Sequence, residues 1–578
     1  MNCYQLFAAT LRRRAGHPAL VAGLGDKRQS LDFAGLDRKV DGVVATLAAS
    51  GLRAGDKVLL AVPISIDTYA VMLALLKAGM VIMYIDPAHG AAQVSQILRR
   101  WPPAAIVASK PILLLGMLFP EVRRIAKRFV VGGNACGATT IGGNDESACA
   151  VRITQRSSAD SAILSFTSGS TGEPKALIRT HGFLRKQLDI LQRLARPTGD
   201  DIDFVAMPMF VLFNLANGIT SVLPACNMKH PGRADPRIVL GQLCAEKATR
   251  MVASPALLDR LADHCLRQSR VIPDLRCIST GGGPVAPSLP VRLSRIAPNA
   301  TIKMVYGSTE AEPIASIDAD QVSVVDRAQT REGAGLLVGR PVSGCSVRVI
   351  DSVPGQPIAA LTPKRFARLC VADGTAGEIV VSGDHVINGY ADIARDAECK
   401  IHVNDTVWHR TGDAGYFDSY GRLWLVGRAG AALRDFRGTV YPFQVEYAVG
   451  AVRGVRRAAL VEKDGERILA LETSGREFRM HCAEAAKCVA RFEIDRIVTL
   501  SRIPMDARHG AKVDYPALVR LLDGHWAGIR NRIAQSLGCL FAGCRDAMRR
   551  LSSRRQIASA CKRRTGCSRG GSDSTVRL

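Results

Sequence analysis

An apolar run in this chain leads directly into a loop of hydroxyl and glycine residues, and this junction restricts the folds open to it. Ala162, Ile163 and Leu164 are followed by the sequence S-F-T-S-G-S-T-G-E-P-K, which ends at Lys175. This pattern predicts a buried strand that ends in a tight polar turn. Glycines let backbone N–H groups approach a ligand closely, hydroxyls donate hydrogen bonds, and the lysine adds a positive charge. Such a loop suits the phosphate groups of a nucleotide, and the alternative is an unliganded surface turn.

The residues of this loop that we assign to nucleotide binding are Thr167, Ser168, Gly169, Ser170, Thr171, Gly172 and Lys175. Their order is not the G-x-x-x-x-G-K-[ST] order of the P-loop, so the loop is a different type of phosphate site.

The region from Ser30 to Asp86 predicts a helix, a strand, a second helix and a second strand. The first helix begins at S-L-D-F, the first strand is G-D-K-V-L-L-A-V-P, the second helix ends at Gly79, and V-I-M-Y-I-D-P is the second strand. Alternating strands and helices are typical of parallel βαβ units, so we expect an α/β fold. A length of 578 residues predicts two to four domains.

Composition places the chain among globular proteins with a strong basic excess. The net charge is +25, and the tail after His509 carries part of the excess. The 16 cysteines form no C-x-x-C pair, which argues against zinc and redox sites and favours reduced thiols in a cytoplasmic protein. The first residues show no long apolar segment after a basic region, so we expect no signal peptide.

Three later segments carry further candidate site residues. Cys277–Pro287 reads C-I-S-T-G-G-G-P-V-A-P, a strand that ends in glycines. Val305–Glu310 reads V-Y-G-S-T-E, in which Tyr306 can stack on a purine, Thr309 can bond a phosphate or carboxylate, and Glu310 is a hard oxygen ligand for Mg²⁺. Trp408–Arg428 contains T-G-D at Asp413 and closes on G-R at Arg428.

These strings, in this order, resemble the signature motifs of the adenylate-forming superfamily, which includes acyl-CoA synthetases, luciferase and peptide adenylation domains. The resemblance covers about residues 15 to 520. It implies that ATP and Mg²⁺ are used to convert a carboxylic acid to acyl-AMP with release of pyrophosphate. It also implies that Gly282, Gly283 and Pro284 lie against the adenine, that Asp413 accepts hydrogen bonds from both ribose hydroxyls, and that Arg428 reaches ribose or phosphate.

The resemblance further implies the domain organisation. We expect an N-terminal AMP-binding domain over residues 1–428, built from βαβ units, and a small mobile α+β lid over residues 429–525. The joint after Arg428 departs from the family pattern, because Gly430 and Ala431 replace the usual charged residues and Gln444 replaces a glutamate. We therefore expect the domain rotation that serves thioester formation to be altered.

The lid contains the candidate catalytic lysine. The string D-A-R-H-G-A-K matches the family's P-R-T-x-x-G-K pattern at Lys512, whose implied role is to stabilise charge between the acyl carboxylate and the α-phosphate. Together with G-R-L-W-L-V-G-R, this string resembles the β-lactone synthetases of long-chain olefin biosynthesis. Those enzymes adenylate a 2-alkyl-3-hydroxy acid and close a four-membered lactone without CoA.

The resemblance implies that the substrate is a small carboxylic acid and that its pocket lies beside Phe210 and Phe213. The segment from Asp201 to Pro224 is apolar, and we find no acidic residue placed to bind an ammonium group. An alkyl or aryl acid is therefore favoured over an amino acid.

The tail over residues 526–578 predicts a basic amphipathic helix followed by a disordered end. Its apolar residues recur at steps of three and four from Trp526 to Leu551, with arginines between them. One interpretation is contact with the inner face of an anionic membrane, and the other is packing on the lid. The absence of a recognition motif argues against nucleic-acid binding.

Three hypotheses stay open at this point. The first is a β-lactone synthetase; the second is an acyl-CoA or aryl-CoA ligase, or an acyl-AMP ligase that passes its product to a carrier protein in trans. The third is a non-catalytic nucleotide-binding relative. The sequence leaves the use of CoA undecided.

Overall fold

The computed structural model describes residues 1–86, 89–141, 150–168, 174–228, 230–390, 393–473, 478–505 and 512–523. Contacts divide the chain into two units, residues 1–513 and residues 514–578. In the second unit the described part is helical over residues 515–523. Its first turn is capped by Asp514, whose Oδ1 accepts a hydrogen bond from Ala517 N at 2.9 Å.

The N-terminal region alternates strands with helices. Its elements are α1 (Gln5–Arg13), β1 (Pro18–Ala22), β2 (Gln29–Asp32), α2 (Phe33–Ala49), β3 (Lys57–Ala61), α3 (Ile66–Lys77), β4 (Val81–Tyr84), α4 (Ala91–Arg100), β5 (Ala105–Ser109), α5 (Lys110–Gly116), α6 (Pro120–Arg123), β6 (Lys127–Val131) and β7 (Thr139–Ile141). The predicted order of helix, strand, helix and strand is confirmed. Ser30 lies in β2 rather than in a helix, because Asp32 caps α2 by accepting a hydrogen bond from Gly35 N at 2.6 Å.

The middle region continues this alternation. Its elements are β8 (Ser161–Ser168), β9 (Pro174–Thr180), α7 (His181–Ala195), β10 (Ile202–Val205), α8 (Met209–Asn217), β11 (Thr220–Val222), α9 (Pro236–Ala245), β12 (Arg250–Ala253), α10 (Pro255–Arg267), β13 (Cys277–Gly281), α11 (Ser288–Ile296), β14 (Thr301–Ser308), β15 (Ala311–Asp318), α12 (Val324–Arg331) and β16 (Leu336–Pro341). The predicted apolar helix near Phe210 is α8, which ends at Gly218 in the left-handed conformation (φ 77°).

The C-terminal region is mostly antiparallel. Its elements are β17 (Ser346–Ile350), α13 (Pro363–Leu369), β18 (Gly377–Ser382), α14 (Ile393–Cys399), β19 (Lys400–Val403), β20 (Thr406–Phe417), β21 (Leu423–Arg428), β22 (Leu433–Asp435), β23 (Gly438–Val440), α15 (Pro442–Glu446), β24 (Val455–Lys463), β25 (Glu466–Thr473), α16 (Phe478–Cys488) and β26 (Arg496–Leu500).

Two large sheets form the body of the first unit. One has the order β7-β6-β5-β3-β4-β8-β9, parallel up to the antiparallel β8–β9 pair. The other has the order β17-β18-β20-β21-β16-β15-β14-β13-β12-β10-β11-β1-β2, with β19 beside β20. Its central strands β11, β10, β12, β13 and β14 are parallel, and from β14 to β17 each neighbouring pair is antiparallel. The α/β fold class is confirmed.

The two faces of the parallel strands differ in what covers them. Phe204, Met251 and Ile278 point to one face, where they pack in a core with α10 and α11. Because side chains alternate along a strand, the residues between them point to the opposite face, toward α7 and α8. That second face lines one of the pockets described below.

A smaller sheet, β24-β25-β26, follows near the end of the first unit and packs on α15 and α16 around Leu460 and Leu469. Within the described residues, no helix is both long enough and apolar enough to span a bilayer.

Candidate active site

The predicted phosphate loop joins β8 to β9. These strands pair antiparallel with Thr167 opposite Lys175. Gly169, Ser170, Thr171 and Gly172 lie outside the described residues, as do the side chains of Thr167 and Ser168. The Lys175 Nζ donates a hydrogen bond to Cys399 Sγ at 3.3 Å and lies 5.4 Å from the centre of the Tyr390 ring. The stem of the loop is formed, and its contacts with phosphate groups stay a prediction.

Three predicted residues from distant motifs meet in one hydrogen-bonded cluster. Asp413 on β20 lies opposite Arg428 on β21 in the sheet register. The Tyr306 hydroxyl donates to Asp413 Oδ2 at 2.9 Å, and Arg428 Nη1 donates to Asp413 Oδ1 at 2.8 Å. Burial, followed by the Asp413 carboxylate, raises the pKa of Tyr306 well above its usual value, so the phenol keeps its proton and donates.

The Asp413 carboxylate retains acceptor capacity on both oxygens. Each carboxylate oxygen can accept two hydrogen bonds, and within the described residues each oxygen of Asp413 has one donor. The side chain is 20% exposed. One further donor can therefore reach each oxygen, which is the requirement for binding two neighbouring hydroxyl groups.

Thr309 and Glu310 form the turn between β14 and β15. Arg179 holds this turn, since its Nη2 donates to Thr309 O at 3.0 Å and its Nη1 donates to Ser165 Oγ at 2.7 Å. The Tyr390 hydroxyl donates to Glu310 Oε1 at 3.0 Å. Arg179 follows the quoted motif by four residues and received no role in the sequence analysis, because its partner Thr309 lies far along the chain.

The Glu310 carboxylate fits a magnesium ligand. One of its oxygens is occupied by Tyr390, and the side chain is partly exposed. Among the described residues no group of three His, Cys, Asp or Glu could hold a metal. Mg²⁺ usually takes one or two protein carboxylates and completes its coordination with phosphates and water, so a single carboxylate is compatible with it.

A second cation lies beside the Tyr390 ring. Lys400 is buried, its Nζ lies 5.6 Å from the ring centre, and it donates to Ile387 O. Burial lowers the pKa of this lysine to about 8. Neither Tyr390 nor Lys400 lies in a motif recognised from the sequence; both belong to the segment between β18 and β20.

The predicted adenine-side loop follows β13. Gly282 has φ 75°, which favours glycine, and a side chain at this position would come within 3.3 Å of Met207 Cε. Gly283 and Pro284 continue the loop in a bend and are partly exposed. The backbone is thus open to a flat ligand, and adenine binding here stays a prediction.

Two neighbouring pockets share residues of α7 and α8, and we call them the two arms of a branched cavity. One arm is lined by Cys3, Phe7, Leu76, Leu184, Leu188 and Met209, among others. The other arm runs along β10, β12, β13 and β14 past Val252 and Val305. The residues common to both arms are Leu191, Phe210, Phe213 and Glu312. The predicted aromatic pair therefore lies at the branch of the cavity.

Two acidic residues line these pockets, whereas the sequence showed no acidic residue placed to bind an ammonium group. Glu312 lies at the branch, and Asp203 lines the second arm. Burial raises the pKa of Glu312, with the charge of Arg179 opposing this effect. Burial also raises the pKa of Asp203, to about 7. Asp203 is a polar residue inside the apolar strand I-D-F-V, a signal that the sequence contained.

Lys512, the predicted catalytic lysine, is exposed, and residues 506–511 before it lie outside the described part. Val513, the next residue, forms an antiparallel bridge with Met505. The action of Lys512 on a substrate stays a prediction.

Comparison with known proteins identifies relatives across most of the chain. The family model "AMP-binding enzyme" matches residues 7–391. An olefin β-lactone synthetase of Xanthomonas campestris pv. campestris is 30% identical over 514 residues, covering 84% of this chain and 89% of that protein. An indoleacetate–CoA ligase of Aromatoleum aromaticum is 30% identical over 309 residues, covering 53% and 55%. The crystal structure of ATP-bound MatB from Rhodopseudomonas palustris has the same fold, with a TM-score of 0.69, 22% identity, and coverage of 90% and 98%.

Proposed function

The chain belongs to the AMP-binding enzyme family, and from this premise we propose that it converts a 2-alkyl-3-hydroxy acid to a β-lactone through an acyl-AMP intermediate. Membership makes the protein an AMP-forming acid ligase that uses ATP. The proposal concerns the acid and the fate of the adenylate.

The branched cavity is the observation that carries this proposal. A 2-alkyl-3-hydroxy acid has two hydrocarbon chains that diverge from neighbouring carbons, whereas a simple fatty acid has one. The two arms share Phe210, Phe213 and Leu191, so a forked acid can place one chain in each arm. The walls of the first arm are mainly apolar and favour hydrocarbon over polar chains.

Glu312 adds a polar group where the branch point of such an acid would lie. Gly307 makes room for it, since a side chain on Gly307 would come within 3.5 Å of Glu312 Cγ. In the described part of the chain the Glu312 carboxyl makes no side-chain hydrogen bond, and Arg179 partly balances its charge. A neutral hydroxyl group is a better partner for this balanced pair than an ammonium group. We assign Glu312 as the acceptor of a hydrogen bond from the 3-hydroxyl.

The remaining residues receive the roles that the motifs imply. Nucleotide phosphates bind at the loop that ends at Lys175, adenine lies between Tyr306 and the loop of Gly282–Pro284, and ribose binds Asp413 and Arg428. Mg²⁺ binds Glu310 and neutralises phosphate charge when present. Thr309 and Lys512 act on the acyl carboxylate, which attacks the α-phosphate as pyrophosphate leaves, and Lys512 stabilises the charge that develops.

Lactone formation then needs no second substrate. The 3-hydroxyl oxygen attacks the acyl carbon, a carbon–oxygen bond forms, the bond from that carbon to the phosphate oxygen breaks, and AMP leaves as the hydroxyl proton is released. Confinement of the hydroxyl beside the acyl carbon supplies the effective concentration for this step. The uncharged joint at Gly430 and Ala431 agrees with a reaction that has no thioester step.

Pyrophosphate release with a panel of acids tests the proposal. The panel contains fatty acids, aryl acids and 2-alkyl-3-hydroxy acids, each with and without CoA, and products are identified by mass. We expect CoA-independent turnover of the branched 3-hydroxy acid, with a product that has lost one water. Turnover that requires CoA and yields a thioester would instead identify an acyl-CoA or aryl-CoA ligase, and transfer to an added carrier protein would identify an acyl-AMP ligase.

The basic tail is a separate prediction. Residues 526–578 lie outside the described residues, and their charge and apolar periodicity are the basis for expecting contact with an anionic membrane. Deletion of residues 526–578 should abolish sedimentation with vesicles of anionic lipid and leave acid activation intact. Equal vesicle binding by the full and truncated chains would contradict this prediction.

A further inference from the structure

The second arm of the cavity ends in polar side chains rather than apolar ones. In the sheet register Asp203 is opposite Arg250, and Arg250 is opposite Cys277. The next row along the strands contains Val252, Ser279 and Lys303. Because side chains alternate, both rows point to the face that lines the cavity. An arm that binds only hydrocarbon has no need of these groups.

The polar row lies deep in the arm. Gly281 and Val305 are paired near the carboxyl ends of their strands, on the side of the nucleotide motifs. Cys277 precedes Gly281 by four residues along β13, and a strand rises about 3.3 Å per residue. The row that contains Asp203, Arg250 and Cys277 therefore lies about 13 Å from the row of Gly281 and Val305. A group bound there belongs to the far end of an acyl chain, not to its reacting end.

Two atoms in this row lack hydrogen-bond partners in the described residues. Asp203 is 1% exposed, and its Oδ2 accepts from Asn214 Nδ2 at 3.0 Å, whereas its Oδ1 has no partner. Arg250 is 7% exposed; its Nη2 donates to Ala195 O at 3.2 Å, and its Nε has no partner. Unpaired buried polar atoms are costly, so they indicate a ligand or a trapped water.

The charges around these atoms are nearly balanced. The Nη1 atom of Arg250 lies 3.5 Å from Oδ2 of the buried Asp201, and Lys303 forms an ion pair with Asp318. Burial raises the pKa of the Asp203 carboxyl to about 7. At a pH near its pKa, a carboxyl group can both donate and accept a hydrogen bond. A site whose positive and negative charges balance disfavours an ionic ligand.

We propose that Asp203 and Arg250 form a polar subsite that binds a neutral hydrogen-bonding group, such as a hydroxyl or an amide, on the distal part of the acyl chain. This inference rests on the proposed activation of an acid in the branched cavity, and it makes the two arms chemically different. The arm beside Phe7 takes plain hydrocarbon, and the arm along β10 takes a chain with a polar end.

The test compares matched acids that differ only at the chain end. The specificity constant kcat/KM for pyrophosphate release is measured for ω-hydroxy fatty acids of graded length. The same constant is measured for the unsubstituted acids of equal length. At one length range the wild-type enzyme should prefer the hydroxy acid by about 10- to 100-fold, the value of one hydrogen bond to a charged group. Shorter acids, which do not reach Asp203, should show no preference.

Asp203→Val should abolish this preference, measured as the ratio of the rates for the hydroxy acid and the unsubstituted acid of equal length, and cooperative thermal unfolding of the variant shows that it folds. Asp384→Ala, at an exposed ion pair with Lys186, is the matched control and should behave as wild type. Absence of any preference in the wild type, or an equal preference in Asp203→Val, would overturn the inference and indicate a trapped water. The readout is independent of whether the product is a lactone or a thioester, so failure of the proposed lactone reaction would be seen separately.

Discussion

Replacement of Asp413 by alanine should weaken ATP binding through the loss of two acceptors of ribose hydroxyl groups. One acceptor position on each carboxylate oxygen is free, since Tyr306 and Arg428 use one each. A hydrogen bond to a charged group contributes about 1.5–3 kcal/mol, so two contribute about 3–6 kcal/mol. At about 1.4 kcal/mol per tenfold change, Asp413→Ala should raise the dissociation constant of ATP by about 100- to 10,000-fold.

Deoxynucleotides turn this prediction into a thermodynamic cycle. Equilibrium binding is measured for ATP, 2′-deoxy-ATP and 3′-deoxy-ATP, without acid. In the wild type each missing hydroxyl should weaken binding by about 10- to 150-fold, and in Asp413→Ala by little or nothing. An equal penalty for the deoxynucleotides in both proteins would refute the assignment of Asp413 to the ribose. Asp384→Ala serves as the control, because its carboxylate is 71% exposed, pairs with Lys186 and has no assigned role.

Three further predictions follow from single residues. Lys512→Ala should abolish pyrophosphate release and leave ATP binding largely intact in a binding assay, whereas the exposed control Lys487→Ala should retain turnover. Phe213→Ala should cost about 3–5 kcal/mol of unfolding free energy by denaturant titration and should shift acid preference toward bulkier branches, since its ring is buried at the fork; unchanged preference would contradict the branched cavity. Burial lowers the pKa of His181 to about 4, so between about pH 6.5 and pH 4 the unfolded chain binds more protons than the folded chain. The free energy of unfolding should therefore fall by about 2–3 kcal/mol as the pH is lowered through that window. This fall should be smaller in His181→Asn and the same as in the wild type in a His402→Gln control.

The nucleotide side of the site could be predicted from the sequence because it is built from short continuous motifs. Tyr306, Asp413 and Arg428 were each identified within their own strings, and the sheet order brings the strings together. Their hydrogen bonds to one another were not predictable, since they depend on the pairing of β20 with β21 and on the approach of β14. The role of Tyr390 was not predictable either, because it depends on a hydrogen bond to Glu310, which lies 80 residues away in the sequence.

The acid side of the site was less predictable because a cavity wall is formed by alternate residues of many elements. Phe210 and Phe213 were identified from an apolar run, whereas Glu312 and Asp203 contribute one side chain each from separate strands. Asp203 interrupts an apolar strand, and such an interruption shows that a polar partner is needed without showing what it is. The partner Asn214 and the facing Arg250 become visible only with the register of β10 and β12.

The joint after Arg428 lies next to the cluster that we assign to ribose. Gly430 has no positive φ, and among the described residues a Cβ added there would come within 4 Å of Pro354 Cβ alone, at 3.9 Å. Backbone strain and crowding at Cβ therefore do not require glycine. Arg428, two residues earlier, is bound to Asp413 in the same cluster that we assign to ribose, so the joint begins beside the proposed nucleotide site. An uncharged joint at a position with room for a larger side chain agrees with the proposed CoA-independent ring closure, which needs no thioester-forming face.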